Sequence, residues 1–257
     1  MGSPNGANGS VPAMAFASIG DATAALGAGS FVLLFDSEKR EAETDFLVLA
    51  EHVTPKHIAT MRRDGGGLVF VAVGHGPAKK LGLPFMHDVL AQASGRWPIL
   101  AHLVPNGLPY DARSSFSLWL NHRDTFTGIT DIDRALTVKE FAKLAKRTEA
   151  IEETSARRAL TEQFRSPGHV PFCVAAAKGL EERKGHTELA VALAELAGAA
   201  PVLVGCEMMD EHTGRALTKV DALKYAAQNG IPILEGRQVL EAHARWKSQV
   251  PVVRRSV

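Results

Sequence analysis

Short, continuously apolar segments are the feature that most constrains how this 257-residue chain can fold. Phe31–Phe35 (FVLLF) and Phe46–Ala50 (FLVLA) show no alternation of apolar and polar residues. A run of about five apolar residues without alternation is typical of a strand that is buried on both faces. Further strands are predicted at Leu68–Val73, Ser115–Leu120, Val170–Ala175, Val202–Met208 and Ile231–Leu234.

Helix start and stop signals lie between these strands. Ser18 is a predicted N-cap, and Thr54 is a predicted N-cap followed by a proline at the first helical position. Because helices alternate with short apolar strands, the sequence predicts a mixed α and β protein whose sheet is covered by helices. Three helices are predicted at Ile19–Leu26, from Pro55 to just before Gly65, and at Glu188–Ala197. A capping box at Thr137–Glu140 predicts a further helix that runs to about Arg147. Thr218 is the predicted cap of a helix that runs to Asn229, and a terminal helix follows.

The domain organisation is predicted to be simple, because the chain has no internal repeat and no convincing linker. We expect one folded domain at residues 18–247 and a separate tail at 248–257. Residues 1–17 are predicted to be a disordered lead-in, because their first part is rich in Gly, Ser, Asn and Pro and lacks the features of a secretory signal. Gly74–Ser114 is the least regular region, and Arg147–Phe164 is a charged, exposed helical segment in this interpretation.

Charge and cysteine content exclude several function classes. Lysine and arginine total 29 and aspartate and glutamate 28, so the formal net charge is +1, which argues against a nucleic-acid or anionic-membrane binder. Cys173 and Cys206 lack the C-x-x-C spacing of a structural zinc site. No apolar run approaches the roughly 18–20 residues of a membrane helix. A reduced, cytoplasmic enzyme or binding protein remains, with neither nucleic acid nor membrane as its partner.

The densest polar cluster is Arg40–Asp45, between the first two apolar runs. Its alternating acids Glu41, Glu43 and Asp45 can turn three carboxylates to one side, and like charges repel unless a cation or a proton compensates them. Oxygen-rich clusters suit Mg²⁺ or Mn²⁺. The alternative is a solvated hairpin turn.

A second cluster, Arg183–Glu188, leads directly into a predicted helix. A glycine before a helix start offers free backbone N–H groups and the positive end of the helix dipole, which favour an anion such as phosphate. Arg183, Lys184 and the hydroxyl of Thr187 add charge and a donor. In the alternative, Thr187 is an ordinary N-cap, Arg183 is exposed and His186 faces solvent.

Three further candidates have weaker local signals. Glu207 places a carboxylate inside an apolar strand, which is costly unless the group is paired. His169 follows the turn Ser166-Pro-Gly168, and a loop residue is the more common interpretation. Thr125–Thr130 holds three hydroxyls around a glycine and is either a ligand-binding loop or a capped turn.

These clusters form part of an ordered set of motifs that spans about Ile19 to Ala242. The motifs are Arg40–Asp45, Val53–Pro55, Gly65–Leu68, Leu81–Pro84, Ser114–Ser117, Thr125–Asp131 with Asp133 and Arg134, Arg165–Val170, Gly185–Glu188, Ala192–Ala197 and Cys206–Met209. The set resembles the 3,4-dihydroxy-2-butanone 4-phosphate synthase family of riboflavin biosynthesis, and Thr44 before Asp45 is typical of its archaeal-type branch. A monofunctional chain is expected, because the zinc cluster of a fused guanosine triphosphate cyclohydrolase II domain cannot be built from two cysteines.

The resemblance implies a single three-layer α/β domain with a mixed, twisted sheet, a homodimer, and two divalent cations per active site, Mg²⁺ or Mn²⁺. It implies metal ligands at Glu41 and His186. It implies catalytic residues at His169, Glu207, Glu43 and Asp45. It implies substrate-binding residues at Arg40, Glu41, Asp45, Thr127, Arg183, Lys184, Gly185, His186, Thr187 and Glu207.

The implied reaction converts D-ribulose 5-phosphate to 3,4-dihydroxy-2-butanone 4-phosphate and formate, through metal-stabilised enolisation, skeletal rearrangement and loss of C4. Ala42 departs from the Gly or Asn usual in the acidic loop, and it should be tolerated if its φ stays negative. The loop after Glu207 is one residue longer than the family's usual pattern. Two alternatives are another metal-dependent sugar-phosphate isomerase or lyase, and a catalytically silent relative that binds nucleotide or RNA.

Overall fold

The computed structural model describes residues 15–103 and 111–249. The first 14 residues of the predicted lead-in and residues 250–257 of the predicted tail lie outside this part of the chain. The strands are β1 (Val32–Phe35), β2 (Thr44–Leu49), β3 (Phe70–Val73), β4 (Phe116–His122), β5 (Phe164–Val174), β6 (Val202–Glu207), β7 (Met209–Asp210), β8 (Arg215–Ala216) and β9 (Ile233–Glu235). The α-helices are α1 (Ile19–Gly27), α2 (Pro55–Asp64), α3 (His75–Leu81), α4 (Met86–Ala93), α5 (Leu100–Leu103), α6 (Asp131–Arg147), α7 (Glu153–Gln163), α8 (His186–Leu196), α9 (Lys219–Asn229) and α10 (Gly236–Gln249).

Seven strands form one mixed sheet in the order β4-β5-β3-β6-β2-β1-β9. The pairs β3–β5 and β1–β9 are parallel, and the other neighbouring pairs are antiparallel. β7 and β8 form a small separate hairpin. The predicted mixed sheet is therefore confirmed.

Helices cover both faces of this sheet, as the unalternating apolar strands predict. Leu47 and Leu49 point to a core that includes residues of α1, α8 and α10. Phe46 and Val48, the alternate residues of the same strand, point to a second core that includes residues of α2, α6 and α9. The molecule thus has three layers, with the sheet in the middle.

Several helix ends follow their local capping signals. Ser18 caps α1 in a reciprocal arrangement with Asp21, and Thr54 caps α2 directly before Pro55. Thr218 caps α9, which ends at Gly230 with φ 62°. Within the described residues, every helix is too short or too polar to cross a membrane.

The capping box predicted at Thr137 is wrong. α6 begins six residues earlier, at Asp131, where the side chain of Thr130 accepts from the Asp133 N–H. Thr137 is fully buried inside the helix, and its hydroxyl accepts from the His122 N–H at 3.0 Å. A tertiary contact with β4 thus uses the side chain that the sequence pattern assigns to a cap.

Further parts of the chain differ from the predictions. β5 begins at Phe164, so Ser166-Pro-Gly168, predicted to be a turn, and His169 lie within the strand. Gly74–Ser114, predicted to be irregular, contains α3, α4 and α5 among its described residues. α8 begins at His186 with Gly185 as its N-cap, so Thr187 and Glu188 lie in its first turn. Thr187 is therefore not the N-cap.

Candidate active site

A cavity of about 400 Å³ opens on the α8 side of the sheet, where β2 begins and β6 ends. It brings the acidic cluster and the start of α8 together, although about 140 residues separate them in the sequence. We call it the acidic cavity. Its lining residues are Glu41, Glu43, Asp45, Phe70, Ser114, Ser115, Phe116, Cys173, Arg183, His186, Thr187 and Glu207.

Strand register places two of the carboxyl groups side by side. Asp45 and Glu207 are direct partners in the antiparallel pair β2–β6, so both side chains lie on the same face of the sheet. The carboxylate of Asp36 accepts from the N–H of Glu41 at 3.0 Å and from the N–H of Glu43 at 3.1 Å. These bonds fold the acidic loop over the end of β1 and point its acids into the cavity. The solvated-turn alternative is therefore wrong.

His186 lies between two of these acids. Its Nδ1 is 3.2 Å from Glu41 Oε2, and its Nε2 is 3.6 Å from Asp45 Oδ1. Burial alone would lower the pKa of His186, but the charge of Asp45 and the hydrogen bond to Glu41 raise it to about 10. The ring therefore carries a proton that a bound cation would have to displace, because only a neutral imidazole ligates a metal.

The pKa is raised for three carboxyl groups of the cavity and lowered for the fourth, Glu41. Burial raises the pKa of Asp45 well above its ordinary value, and the neighbouring charge of Glu207 adds to the rise. Burial also raises the pKa of Glu43 and of Glu207. For Glu41, burial acts in the same direction, but His186 and Arg40 outweigh it and lower the pKa. The cavity therefore contains carboxyl groups whose pKa values are shifted in opposite directions, which suits them to different roles in proton transfer.

The chemistry of the cavity fits a divalent cation. Both carboxylate oxygens of Asp45 and the Nε2 atom of His186 are buried without a hydrogen-bond partner among the residues that the structure describes. Asp36, Glu41 and His186 each have a potential ligand atom, and these atoms lie within 4.8 Å of one another. A buried polar atom without a partner is costly. A divalent cation can be bound by carboxylate oxygens and by a neutral imidazole nitrogen.

The end of the cavity at the start of α8 suits an anion. The hydroxyl groups of Thr187 and Ser115 are hydrogen-bonded to each other at 2.9 Å. Among the described residues, no side chain caps the helix start at Gly185. Arg183 also lines this end, held by Asp111 at 2.5 Å and by Glu188 at 2.6 Å. With a side chain only 17% exposed, Arg183 is not the solvent-facing residue of the alternative interpretation.

Two predicted substrate-binding cations lie beside the acidic cavity and do not line it. Arg40 contacts Glu41 at 2.9 Å and Asp111 at 2.6 Å. Lys184 lines an adjacent groove together with Arg40 and Asp36. Both residues border the cluster without facing its centre.

His169 and Thr127 lie elsewhere, at the β4 edge of the sheet. Both are exposed. Asn121 connects them, because its side chain donates to His169 Nδ1 at 3.1 Å and lies 3.5 Å from the Thr127 carbonyl oxygen. Within one chain, these two residues do not join the cavity.

The sequence interpretation omitted Asp36, Asp111, Ser115 and Glu188 from the site. Asp36 has a local signal, since it ends an apolar strand next to the acidic cluster. Glu188 has a weaker one, as a single acid at the start of an otherwise Ala- and Leu-rich helix. Asp111 has none, because it contacts Arg40 and Arg183 from 71 and 72 residues away.

Comparisons with known proteins place the chain among similar sequences and structures. Residues 20–242 match the family model of 3,4-dihydroxy-2-butanone 4-phosphate synthase. The chain is 50% identical over 220 residues to the Archaeoglobus fulgidus protein of that name, covering 85% of this chain and 91% of that one. It is 33% identical over 219 residues to the riboflavin biosynthesis protein RibBA of Bacillus cereus, covering 85% of this chain and 47% of that one. A crystal structure of 3,4-dihydroxy-2-butanone 4-phosphate synthase in complex with two magnesium ions is similar, with 26% identity and a TM-score of 0.67 over 91% of this chain and 100% of that one.

Proposed function

This chain belongs to the 3,4-dihydroxy-2-butanone 4-phosphate synthase family, and we propose that it converts D-ribulose 5-phosphate to 3,4-dihydroxy-2-butanone 4-phosphate and formate. One observation carries the proposal: a single cavity joins a carboxylate and imidazole cluster to an anion-binding end. A phosphorylated ketose needs both, because its phosphate binds at one end while its hydroxyl and carbonyl oxygens meet the other.

Glu41 and His186 would hold Mg²⁺ or Mn²⁺, with two cations in each site. The fit of the buried donor atoms supports this assignment, and a related structure contains two magnesium ions. When bound, the cations supply positive charge that stabilises the negative charge developing on the substrate oxygens.

Glu43, Asp45 and Glu207 would carry the proton transfers inside the cavity. The reaction requires a base that removes the C3 proton of ribulose 5-phosphate and acids that return protons later. Carboxyl groups whose pKa is raised by burial suit both tasks, because proton transfer is most efficient when the pKa lies near the working pH. His169 is the fourth group in this assignment.

Arg183 and Thr187, with the backbone N–H groups of Gly185 and His186, would bind the phosphate. The guanidinium, the hydroxyl and the positive end of α8 converge on one end of the cavity. Arg40 and Lys184 would add positive charge at its border.

A homodimer would bring His169 and Thr127 to the cavity of the second copy. β4 is an edge strand, and large apolar side chains are exposed along and beside it. Trp119 is 39%, Ile132 is 70% and Phe126 is 94% exposed. Exposed apolar side chains beside a sheet edge favour association with another chain. We also assign the enzyme to the cytoplasm, where its two buried cysteines stay reduced.

The decisive test is formate release from ribulose 5-phosphate by the purified protein at controlled Mg²⁺ or Mn²⁺ concentration. Formate together with a four-carbon ketone phosphate is the expected result. Turnover of ribulose 5-phosphate without formate would instead identify another sugar-phosphate isomerase or lyase. Absence of any turnover would favour the catalytically silent alternative, which the comparisons do not support.

A further inference from the structure

Arg183 lies between two carboxylates that the proposed mechanism does not use. Glu188 Oε2 accepts from Nη1 at 2.6 Å, and Asp111 Oδ2 accepts from Nε at 2.5 Å. Neither bond uses Nη2. Among the residues that the structure describes, the guanidinium is therefore held on two of its sides, and Nη2 is left to bind a ligand.

Glu188 is fixed in place by burial. Its side chain is fully buried in the first turn of α8. Oε1 accepts from the Ala176 N–H at 2.9 Å, so each carboxylate oxygen has a partner. A buried carboxylate is costly without such bonds. Glu188 is not among the described residues that line the acidic cavity, and its side chain contacts that lining through its bond to Arg183.

Asp111 holds Arg183 from the other side and connects it to the acidic loop. The same oxygen, Oδ2, also accepts from Arg40 Nη2 at 2.6 Å. Oδ1 accepts from the N–H of Ala112 at 2.8 Å, which fixes the orientation of the carboxylate. The Asp111 side chain is only 12% exposed.

We propose that Glu188 and Asp111 are positioning residues, which hold Arg183 in the conformation that receives the substrate phosphate. The inference rests on the proposed function of Arg183. A free arginine loses much side-chain entropy when it is immobilised by an anion. Because the two carboxylates have already immobilised Arg183 in the folded protein, phosphate binding does not bear that cost again.

The first test replaces Glu188 by glutamine and measures the Kd of inorganic phosphate by calorimetry, together with KM and kcat. Glu188→Gln removes the charge that holds Nη1, and we expect the Kd of phosphate and KM to rise about tenfold. kcat should change by less than about twofold, because the phosphate does not react. Glu195→Gln is the matched control: it makes the same change two turns later on α8, where Glu195 contacts His243 at 2.7 Å.

A second variant guards against misfolding of the first. Asp111→Asn removes the other contact from a less buried position, and it should also weaken phosphate binding. If Glu188→Gln does not fold, Asp111→Asn alone decides. Tighter phosphate binding by Asp111→Asn would overturn the proposal, because the carboxylate would then compete with phosphate for the arginines.

A double-mutant cycle tests whether the effect passes through Arg183. In the Arg183→Ala background, Glu188→Gln should change the Kd of phosphate by less than about twofold, and Asp111→Asn should keep only the part of its effect that passes through Arg40. Undiminished effects in that background, or unchanged phosphate binding in the single variants, would overturn the inference. Phosphate binding is measured without turnover, so these outcomes are distinguishable from a failure of formate release, which would overturn the proposed function.

Discussion

Single side chains decide the charge balance of the acidic cavity. Glu41 is the acid whose pKa is lowered, because His186 and Arg40 outweigh its burial, so it carries a full negative charge at neutral pH. It is therefore available to a cation in its ionised form. Asp45 and Glu207, whose pKa values are raised by burial, are better suited to hold and release protons.

Glu41→Gln should therefore lower kcat by about 10²-fold or more, the scale expected when an electrostatic stabiliser of the transition state is removed. The side chain keeps its size but loses the charge that binds a cation. Glu38→Gln is the matched control, because Glu38 belongs to the same loop and is 68% exposed. Steady-state kinetics at saturating Mg²⁺ check both variants. A kcat of Glu41→Gln near that of Glu38→Gln would contradict the assigned role.

Ala42 adopts a backbone conformation that its side chain disfavours. Its φ is +55°, so the condition of a negative φ, under which alanine should be tolerated, is not met. The left-handed region costs a residue with a Cβ about 1–2 kcal/mol. Glycine avoids this cost in the folded state, but its unfolded state has more conformational entropy, which offsets part of the gain in stability. Ala42→Gly should thus stabilise the protein by about 0.5–1 kcal/mol. Thermal unfolding measures the change, and Ala28→Gly, at a position with φ −79°, should give no gain.

At the scale of secondary-structure elements, the loop before α6 depends on one carboxylate. Asp133 accepts from the N–H groups of Gly128, Thr127 and Phe126 at 2.8, 3.2 and 3.4 Å. The Gly128 bond is the largest cause of the lowered pKa of Asp133. A carboxyl group with a lowered pKa in the folded state stabilises the fold above its unfolded pKa of about 3.9. That stabilisation is lost as the pH falls through the folded pKa.

Asp133→Asn should consequently lower the free energy of unfolding at neutral pH and reduce its fall below about pH 4. Denaturant unfolding across the acid range tests this. Asp124→Asn, in the preceding turn with a side chain 82% exposed, is the control. If the free energy of unfolding of Asp133→Asn falls with pH as steeply as that of Asp124→Asn and of the wild type, Asp133 does not contribute through its charge.

Elements with local signals could be predicted from the sequence, and elements fixed by distant contacts could not. The caps at Ser18, Thr54 and Thr218 bond within three residues, so their patterns suffice. α3 and α4 begin without side-chain cap bonds among the described residues, and they lie in the region that the sequence predicts to be irregular. The candidate site follows the same rule. Its acidic cluster is local, whereas the partners of Arg183 depend on the tertiary fold.

At the scale of the whole molecule, the separation of His169 from the cavity predicts complementation between inactive chains. Glu41→Gln and His169→Asn each disable one of the two parts that a shared site requires. When the two variants are mixed and allowed to exchange subunits, about one quarter of the wild-type sites should be complete, because half of the dimers are mixed and each has one intact site. Formate release by the mixture measures this. No recovery after verified exchange would show that each chain completes its own site.

The first turn of α8 has a consequence for how the sequence can change. His186, Thr187 and Glu188 are consecutive, so they point in directions about 100° apart, toward the acids, toward Ser115 and into the interior. The following residues Leu189 to Ala194 are all buried, so the helix is apolar on every side. Insertion of one residue after Gly185 would keep an apolar helix but rotate all three polar groups away from their partners. Such an insertion would disrupt the site and would also destabilise the fold, because the buried Glu188 carboxylate would lose both of its partners. Natural or designed relatives should therefore vary there by substitution rather than by insertion or deletion.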